Sequence, residues 1–315
     1  MLALHIPEAG GEPTLAELPT PSPGEGQVLV RVKAAGLNPF DNAVAAGMVA
    51  AMVPHEYPLV LGRDAAGVVE AVGADVSDLA VGDEVFGHVL MAPPIEAGTL
   101  AELALLPAVA VVAKPAGLDF VTAAAIPLAG AAAVAAVEAI DPQSGQTVLV
   151  NGASGGVGSY TIQLLAGRGA IVVATGTAQD VDRLQALGAD SVVDYTTGPV
   201  VDQVRAAYPN GVDALINLAG FTADDVPLAA VRQGGRVSTT TGAPDEEALT
   251  ASGLTGTGVM ATPTREVIGP LAEQVAAGSL EVEIQTVLPL ERATDGLATL
   301  AAGAAHGKIV VTIGG

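Results

Sequence analysis

Hydrophobic and polar positions alternate with period two along Val28-Leu29-Val30-Arg31-Val32-Lys33-Ala34, directly after the turn-forming run Pro21-Ser22-Pro23-Gly24-Glu25-Gly26. Such alternation marks a half-buried strand. Further strands are predicted at Gly67–Val72, Glu84–Phe86 and Leu100–Leu106, so residues 1–115 read as β-rich with frequent turns. From about Phe120 the pattern changes to helix and strand in turn. A helix is predicted over Val121–Ala139, followed by strands at 147–151, 170–175, 191–194, 213–218 and 235–240 with helices between them. That order belongs to a doubly wound parallel sheet, an α/β class. The end reads strand, helix, strand over Glu281–Pro289, Glu291–Ala302 and Lys308–Ile313, with no βαβ role to fill, and is assigned back to the first domain. The expected division is residues 1–120 with 263–315 in one domain and 121–262 in the other.

The strand at 147–151 runs into Gly152-Ala153-Ser154-Gly155-Gly156-Val157-Gly158 and then into an apolar helix. Backbone N–H groups and the positive helix end converge there with no side chain in the way of a diphosphate, which predicts a dinucleotide site at Ser154, Gly155, Gly156, Val157 and Gly158. A tight turn also needs glycine for steric reasons alone; the flanking strand and helix are what favour the cofactor. The second strand ends in Thr175-Gly176-Thr177, where an NAD enzyme sets an acid against the ribose 2′-hydroxyl. No acid stands there, so NADPH is the expected cofactor. Arg183 is the nearest cation for a 2′-phosphate and Tyr195 offers a hydroxyl, while Gln179 and Asp180 stand where a lysine would serve better.

Composition narrows the classes. A chain of 315 residues, 50% of them hydrophobic, can bury the cores of two domains. Its alanine-rich segments are broken by Gly, Pro or charge before about 18 residues accumulate, which argues against a membrane span. Met1 leads directly into a short strand with no basic leader region, and a cytoplasmic location is expected. The absence of cysteine removes disulfides, thiol chemistry and Cys-based zinc sites, so no metal is expected. A net charge of −22 argues against nucleic acid or an anionic membrane surface as a partner. An anionic cofactor must then be held by local donors.

Seven segments follow one another in an order that resembles the medium-chain dehydrogenases/reductases. They are Ala35-Gly36-Leu37-Asn38-Pro39-Phe40-Asp41, Pro58–Val69, Val81–Gly87, Ala125–Gly130, the glycine turn, Leu187-Gly188-Ala189-Asp190 and Gly307–Val311. The resemblance is to the zinc-independent, quinone oxidoreductase-like branch, and it implies a Rossmann cofactor domain, a GroES-like catalytic domain and a homodimer. It also implies cofactor contacts from Leu218, Ala219, Thr240 and Lys308. In the zinc alcohol dehydrogenases the segment aligned with Gly62-Arg63-Asp64 carries a His-Glu pair and a cysteine stands near Gly36; neither is found here. The branch also places a threonine at position 132 to approach the nicotinamide, and here the residue is Ala132.

Without a metal or a tyrosine–lysine acid pair, the chemistry must suit an acceptor that needs little activation. Hydride transfer to a quinone, or to the β-carbon of an α,β-unsaturated carbonyl, meets that condition. Asn38, Asp41 and Tyr57 are the candidate catalytic residues. Asp41, Tyr57 and His88 are the candidate proton donors, and against this Asp41 can serve as the cap of a short helix through Val44–Gly47. Apolar loops around Met48, Met52 and Met91 suit a hydrophobic acceptor or plain packing. Two alternatives stay open. One is a non-catalytic NADPH-binding sensor or scaffold. The other is a short-chain-type carbonyl reductase, which the glycine pattern and Asn217-Leu218-Ala219-Gly220 imitate; yet no tyrosine has the lysine four residues on that this class needs.

Overall fold

The structure, a computed structural model, describes residues 1–91, 93–95 and 97–314. It divides into two units, Met1–Ala131 with Thr262–Gly315, and Ala132–Ala261.

In chain order the first unit runs β1 (Leu2–Ile6), β2 (Thr14–Glu17), β3 (Gln27–Leu37), α1 (Pro39–Ala45), β4 (Leu59–Val60), β5 (Asp64–Val72), β6 (Glu84–His88), β7 (Leu103–Pro107), β8 (Val111–Ala113), α2 (Phe120–Ala124) and the start of α3 (Pro127–Ile140). The helix predicted over 121–139 is therefore two helices. Pro127 has no N–H to donate to the preceding turn and is well placed only as the first residue of a new helix. Strands β2, β4 and β8 escape the sequence pattern because four, two and three residues are too short to show a period. Antiparallel pairing of β3 with β5 and of β5 with β6 builds the centre of a seven-stranded sheet. Val28, Val30, Val69 and Val85 bury its inner face.

The second unit runs β9 (Thr147–Asn151), α4 (Gly156–Gly167), β10 (Ile171–Gly176), α5 (Val181–Ala186), β11 (Ser191–Asp194), α6 (Val200–Ala207), β12 (Val212–Asn217), β13 (Val231–Thr239), α7 (Glu246–Ala251) and β14 (Thr255–Gly258). Its six strands are all parallel, in the order β11-β10-β9-β12-β13-β14. Successive residues of β9 point to opposite faces, and both faces are dry. Val148 and Val150 pack with Ile162 and Leu165, whereas Leu149 packs with Val173, Val204 and Leu215. That is why the strand reads as a continuous apolar run rather than an alternation.

The chain then returns through α8 (Arg265–Ala276), β15 (Ile284–Pro289), α9 (Ala293–Ala301) and β16 (Lys308–Thr312). Here the expectation of no βαβ role is corrected. β15 and β16 pair in parallel with α9 as their crossover, and β16 adds antiparallel to β3 within the first unit's sheet. No helix among the described residues is long and apolar enough to cross a membrane.

Candidate functional site

Among the described residues two places are candidates for chemistry, one in each unit. In the second, β9 ends at Asn151 and the chain turns sharply through Gly152, whose φ of 83° suits glycine. A Cβ on Gly152 would meet the Ala219 Cβ at 2.9 Å, and one on Gly158 would collide with the backbone oxygen of Ala153. Those two glycines are needed for packing. Gly155 is different. A Cβ there would find nothing nearer than the Gly152 oxygen at 3.7 Å, so the space beside it is open at the first turn of α4. The N–H groups of that turn have no carbonyl behind them in the helix, which makes this a cradle for an anion.

Polar side chains at the carboxyl ends of the strands stiffen the cradle. Asn151 Nδ2 donates to Asn217 Oδ1 at 2.8 Å and to the Ala219 oxygen at 3.1 Å, and Asn217 Nδ2 donates to the Ala243 oxygen at 2.9 Å. Thr175 Oγ1 accepts from the Gly152 N–H at 2.9 Å. Leu218 and Thr240 are tied in through their backbone N–H groups, to the Asn151 and Asn217 oxygens. Sequence reasoning missed Asn151 and Asn217. The available signal was an asparagine closing each of two parallel strands directly after an apolar run, residues 148–150 and 214–216.

After β10 the Thr177 N–H and hydroxyl both donate to Asp180 Oδ2 at 2.8 Å. Arg183 Nη2 donates to Asp180 Oδ1 at 2.7 Å and to the Ser154 oxygen at 3.3 Å. The expected 2′-phosphate residues Thr177 and Arg183 are thus brought together by a buried carboxylate. Thr175 is buried and Tyr195 is 51% exposed.

In the first unit a polar cluster lies among the ends of β3, β5, β6 and β16. Asp64 is fully buried and accepts from Asn38 Nδ2 at 2.8 Å, pairs with His88 Nδ1 at 2.7 Å, and accepts from the Leu128 N–H at 3.2 Å. Lys308 Nζ donates to Asn38 Oδ1 at 2.6 Å and to the Leu37 oxygen at 2.9 Å, with Asp64 Oδ2 at 3.8 Å. Burial holds the Lys308 ammonium below its ordinary range against the pull of Asp64 and Asp41. The sequence-predicted residues Asn38, Asp41, His88 and Lys308 therefore share one cluster; Tyr57 stands apart, its ring edge-on to His55 at 6.4 Å.

Asp41 lies in the first turn of α1 and its Oδ2 accepts the Asn38 N–H at 2.8 Å, capping the helix from inside rather than preceding it. Its Oδ1 has no partner, and burial, opposed by that N–H bond, pushes its pKa up to about 7. Arg63 is 3% exposed; Nη1 reaches the Val89 oxygen at only 3.5 Å, and Nη2 has no partner. No group of three or more His, Cys, Asp or Glu able to hold a metal occurs among the described residues.

Known proteins match this architecture over its length. Residues 24–116 match the family model for the alcohol dehydrogenase GroES-like domain, and residues 187–311 that for zinc-binding dehydrogenases. A chloroplast envelope quinone oxidoreductase homolog of Arabidopsis thaliana is 30% identical over 94% of this chain and 92% of its own. An NADPH-dependent alkenal/one oxidoreductase of the same plant, chloroplastic, is 32% identical over 91% of this chain and 72% of its own. Among solved structures, an NAD-dependent alcohol dehydrogenase superposes with a TM-score of 0.88 at 31% identity, covering 100% of both chains.

Proposed function

The chain belongs to the medium-chain dehydrogenases/reductases, in their zinc-independent, quinone oxidoreductase-like branch, and we propose that it is an NADPH-dependent oxidoreductase acting on a quinone or on the C=C bond of an α,β-unsaturated carbonyl. The observation that carries this reading is the open space at Gly155 beside the first turn of α4, which leaves room for a dinucleotide diphosphate, while Gly152 and Gly158 are taken up by packing. Support for the acceptor class comes from the quinone and alkenal/one oxidoreductases among its relatives.

In this proposal residues 121–262 form the cofactor domain and residues 1–120 with 263–315 the substrate domain. Ser154, Gly155, Gly156 and Val157 hold the diphosphate together with the backbone of Gly158, whose missing side chain serves packing. Thr175, Gly176, Thr177, Arg183 and Tyr195 surround the adenosine ribose and its 2′-phosphate. Leu218, Ala219 and Thr240 line the way to the nicotinamide. Bound NADPH supplies a hydride equivalent. The protein's part is to orient the acceptor and exclude water, with Asn38, Asp41 and Tyr57 on the substrate side and Lys308 tying Asn38 in place. The working form is a homodimer in the cytoplasm.

NADPH consumption against a panel of enones and quinones tests the reading. Turnover with either class supports it. Tight NADPH binding with no turnover on any member of the panel would leave a cofactor-binding sensor or scaffold instead.

A further inference from the structure

Among the described residues of the first unit, three of the five side chains with buried polar atoms that lack a hydrogen-bond partner are neighbours. Arg63 Nη2 and Asp41 Oδ1 are both without a hydrogen bond, as are both ring nitrogens of His55. The Arg63 guanidinium carbon lies 5.8 Å from the centre of the Phe40 ring, and Asp41 is the next residue of α1. Arg63 is also close enough for its charge to lower the pKa of both Asp41 and His55. Leaving a buried guanidinium N–H unmatched is destabilising, so folding alone does not account for it. Asp64, by contrast, is saturated by Asn38, His88 and Leu128 and leaves no room for a newcomer.

Resting on the function proposed above, we infer that Arg63 and Asp41 together hold the carbonyl oxygen of the acceptor. Hydride added with its electron pair at the β-carbon shifts the C=C pair toward the α-carbon and carbonyl, and charge collects on oxygen as an enolate. Arg63 Nη2 donates to that oxygen as the charge grows. A protonated Asp41 donates from Oδ1, which its pKa of about 7 makes available near neutrality. A water proton then completes the α-carbon, so that one enone, one NADPH and one proton give one saturated ketone and one NADP⁺. His55 is kept neutral, its pKa lowered by burial and by Arg63, and adds no competing positive charge. The other charged groups about Asp41 are Asp64 and Lys308, which act on its proton in opposite directions.

The test compares wild type with Arg63→Gln, Arg63→Lys and Asp41→Asn, using 3-penten-2-one as acceptor, NADPH fluorescence for cofactor affinity, and the ionisation of added 4-nitrophenol as an oxyanion probe in the presence of NADP⁺. Arg63→Gln is expected to lose about 100-fold in kcat with NADPH affinity unchanged, and Arg63→Lys to recover part of it. Wild type should bind 4-nitrophenol as the phenolate below its solution pKa, and Arg63→Gln should not. Asp41→Asn should flatten the decline of activity above neutral pH. Wild-type turnover with Arg63→Gln within about twofold of it, and an unshifted nitrophenol, would overturn the inference and leave these atoms to bound water. A wild type inactive on every enone and quinone overturns the proposed function; an unshifted nitrophenol in that protein overturns the inference as well. Should Arg63→Gln fail to fold, Arg63→Lys and Asp41→Asn carry the same comparison.

Discussion

Lys308 donates to Asn38 Oδ1 at 2.6 Å, closing a contact between residues 270 positions apart in the chain and fastening β16 to the end of β3. The same ammonium reaches the Leu37 oxygen at 2.9 Å and lies 3.8 Å from Asp64 Oδ2, so its donors are directed into the cluster. Lys308→Met should leave Asp64 and the Asn38 oxygen short of a buried cation and cost about 3–5 kcal/mol of stability. Urea unfolding checks the stability and NADPH titration checks the cofactor. A loss of NADPH affinity at unchanged stability would return Lys308 to the cofactor.

Asp41 links stability to pH. Its pKa is raised to about 7 from an ordinary carboxylate value, so the folded protein binds a proton that the unfolded chain releases between those two pH values. The stabilisation is complete below the ordinary carboxylate range and is lost as pH rises through about 7. Asp41→Asn should remove that dependence and make the protein more stable than wild type at pH above about 8, by up to about 4 kcal/mol. Thermal melts across the range read the crossover directly. Parallel curves for the two proteins would show that Asp41 is ionised throughout.

Two glycines of the same turn should respond differently. Gly155→Val puts a side chain into open space, so the variant should fold with an unchanged melting temperature and fail to bind NADPH. Gly158→Ala drives a Cβ into the Ala153 backbone and should lower the melting temperature. Fluorescence titration beside a thermal melt separates the outcomes. NADPH binding to Gly155→Val with full affinity would remove the diphosphate from this cradle.

The glycine turn, the alternation of helix and strand and the Asn38–Asp41 pair were legible in the sequence because each is local: a period, a turn or a short spacing. What escaped is non-local. Asn151 and Asn217 meet only because β9 and β12 are neighbours in space, and nothing in either segment names the other. Arg63 read as a departure from a family pattern; its unmatched Nη2 is a property of burial, which sequence spacing does not report. The break at Pro127 was written in the chain, but continuous alanine-rich hydrophobicity on both sides masked it. Conversely, the missing acid after the second strand is answered by an acid three residues beyond Thr177, whose reach back to that threonine depends on the start of α5.

In the proposed function that acid bears on cofactor choice. Arg183 and Thr177 both bind Asp180, so a 2′-phosphate must compete with a carboxylate already in place. Asp180→Asn should raise the preference for NADPH over NADH, and Arg183→Ala should lower it, each by about 1–2 kcal/mol, the scale of a charge-assisted hydrogen bond. Paired titrations at fixed salt measure both. A preference unmoved by either change would place the 2′-phosphate elsewhere.

The proposed homodimer is expected to pair through β14, which among the described residues pairs only with β13 and whose residues are all exposed. An edge of this kind presents unpaired N–H and C=O groups to a second copy. The Val259 N–H is already used, donating to the Thr239 oxygen at 2.8 Å, so proline at that position would break a bond within the chain. Successive residues of a strand direct their N–H groups to opposite sides, which turns the Gly258 N–H toward the free edge. A side chain there would also meet nothing within 4 Å. Gly258→Pro is therefore the sharper probe, since it removes one edge donor at little cost to the monomer. Light scattering at micromolar concentration should give a doubled mass for wild type and a single-chain mass for Gly258→Pro at an unchanged fold by circular dichroism. A wild type of single-chain mass would reject the dimer, and a variant that stays doubled would move the interface off this strand.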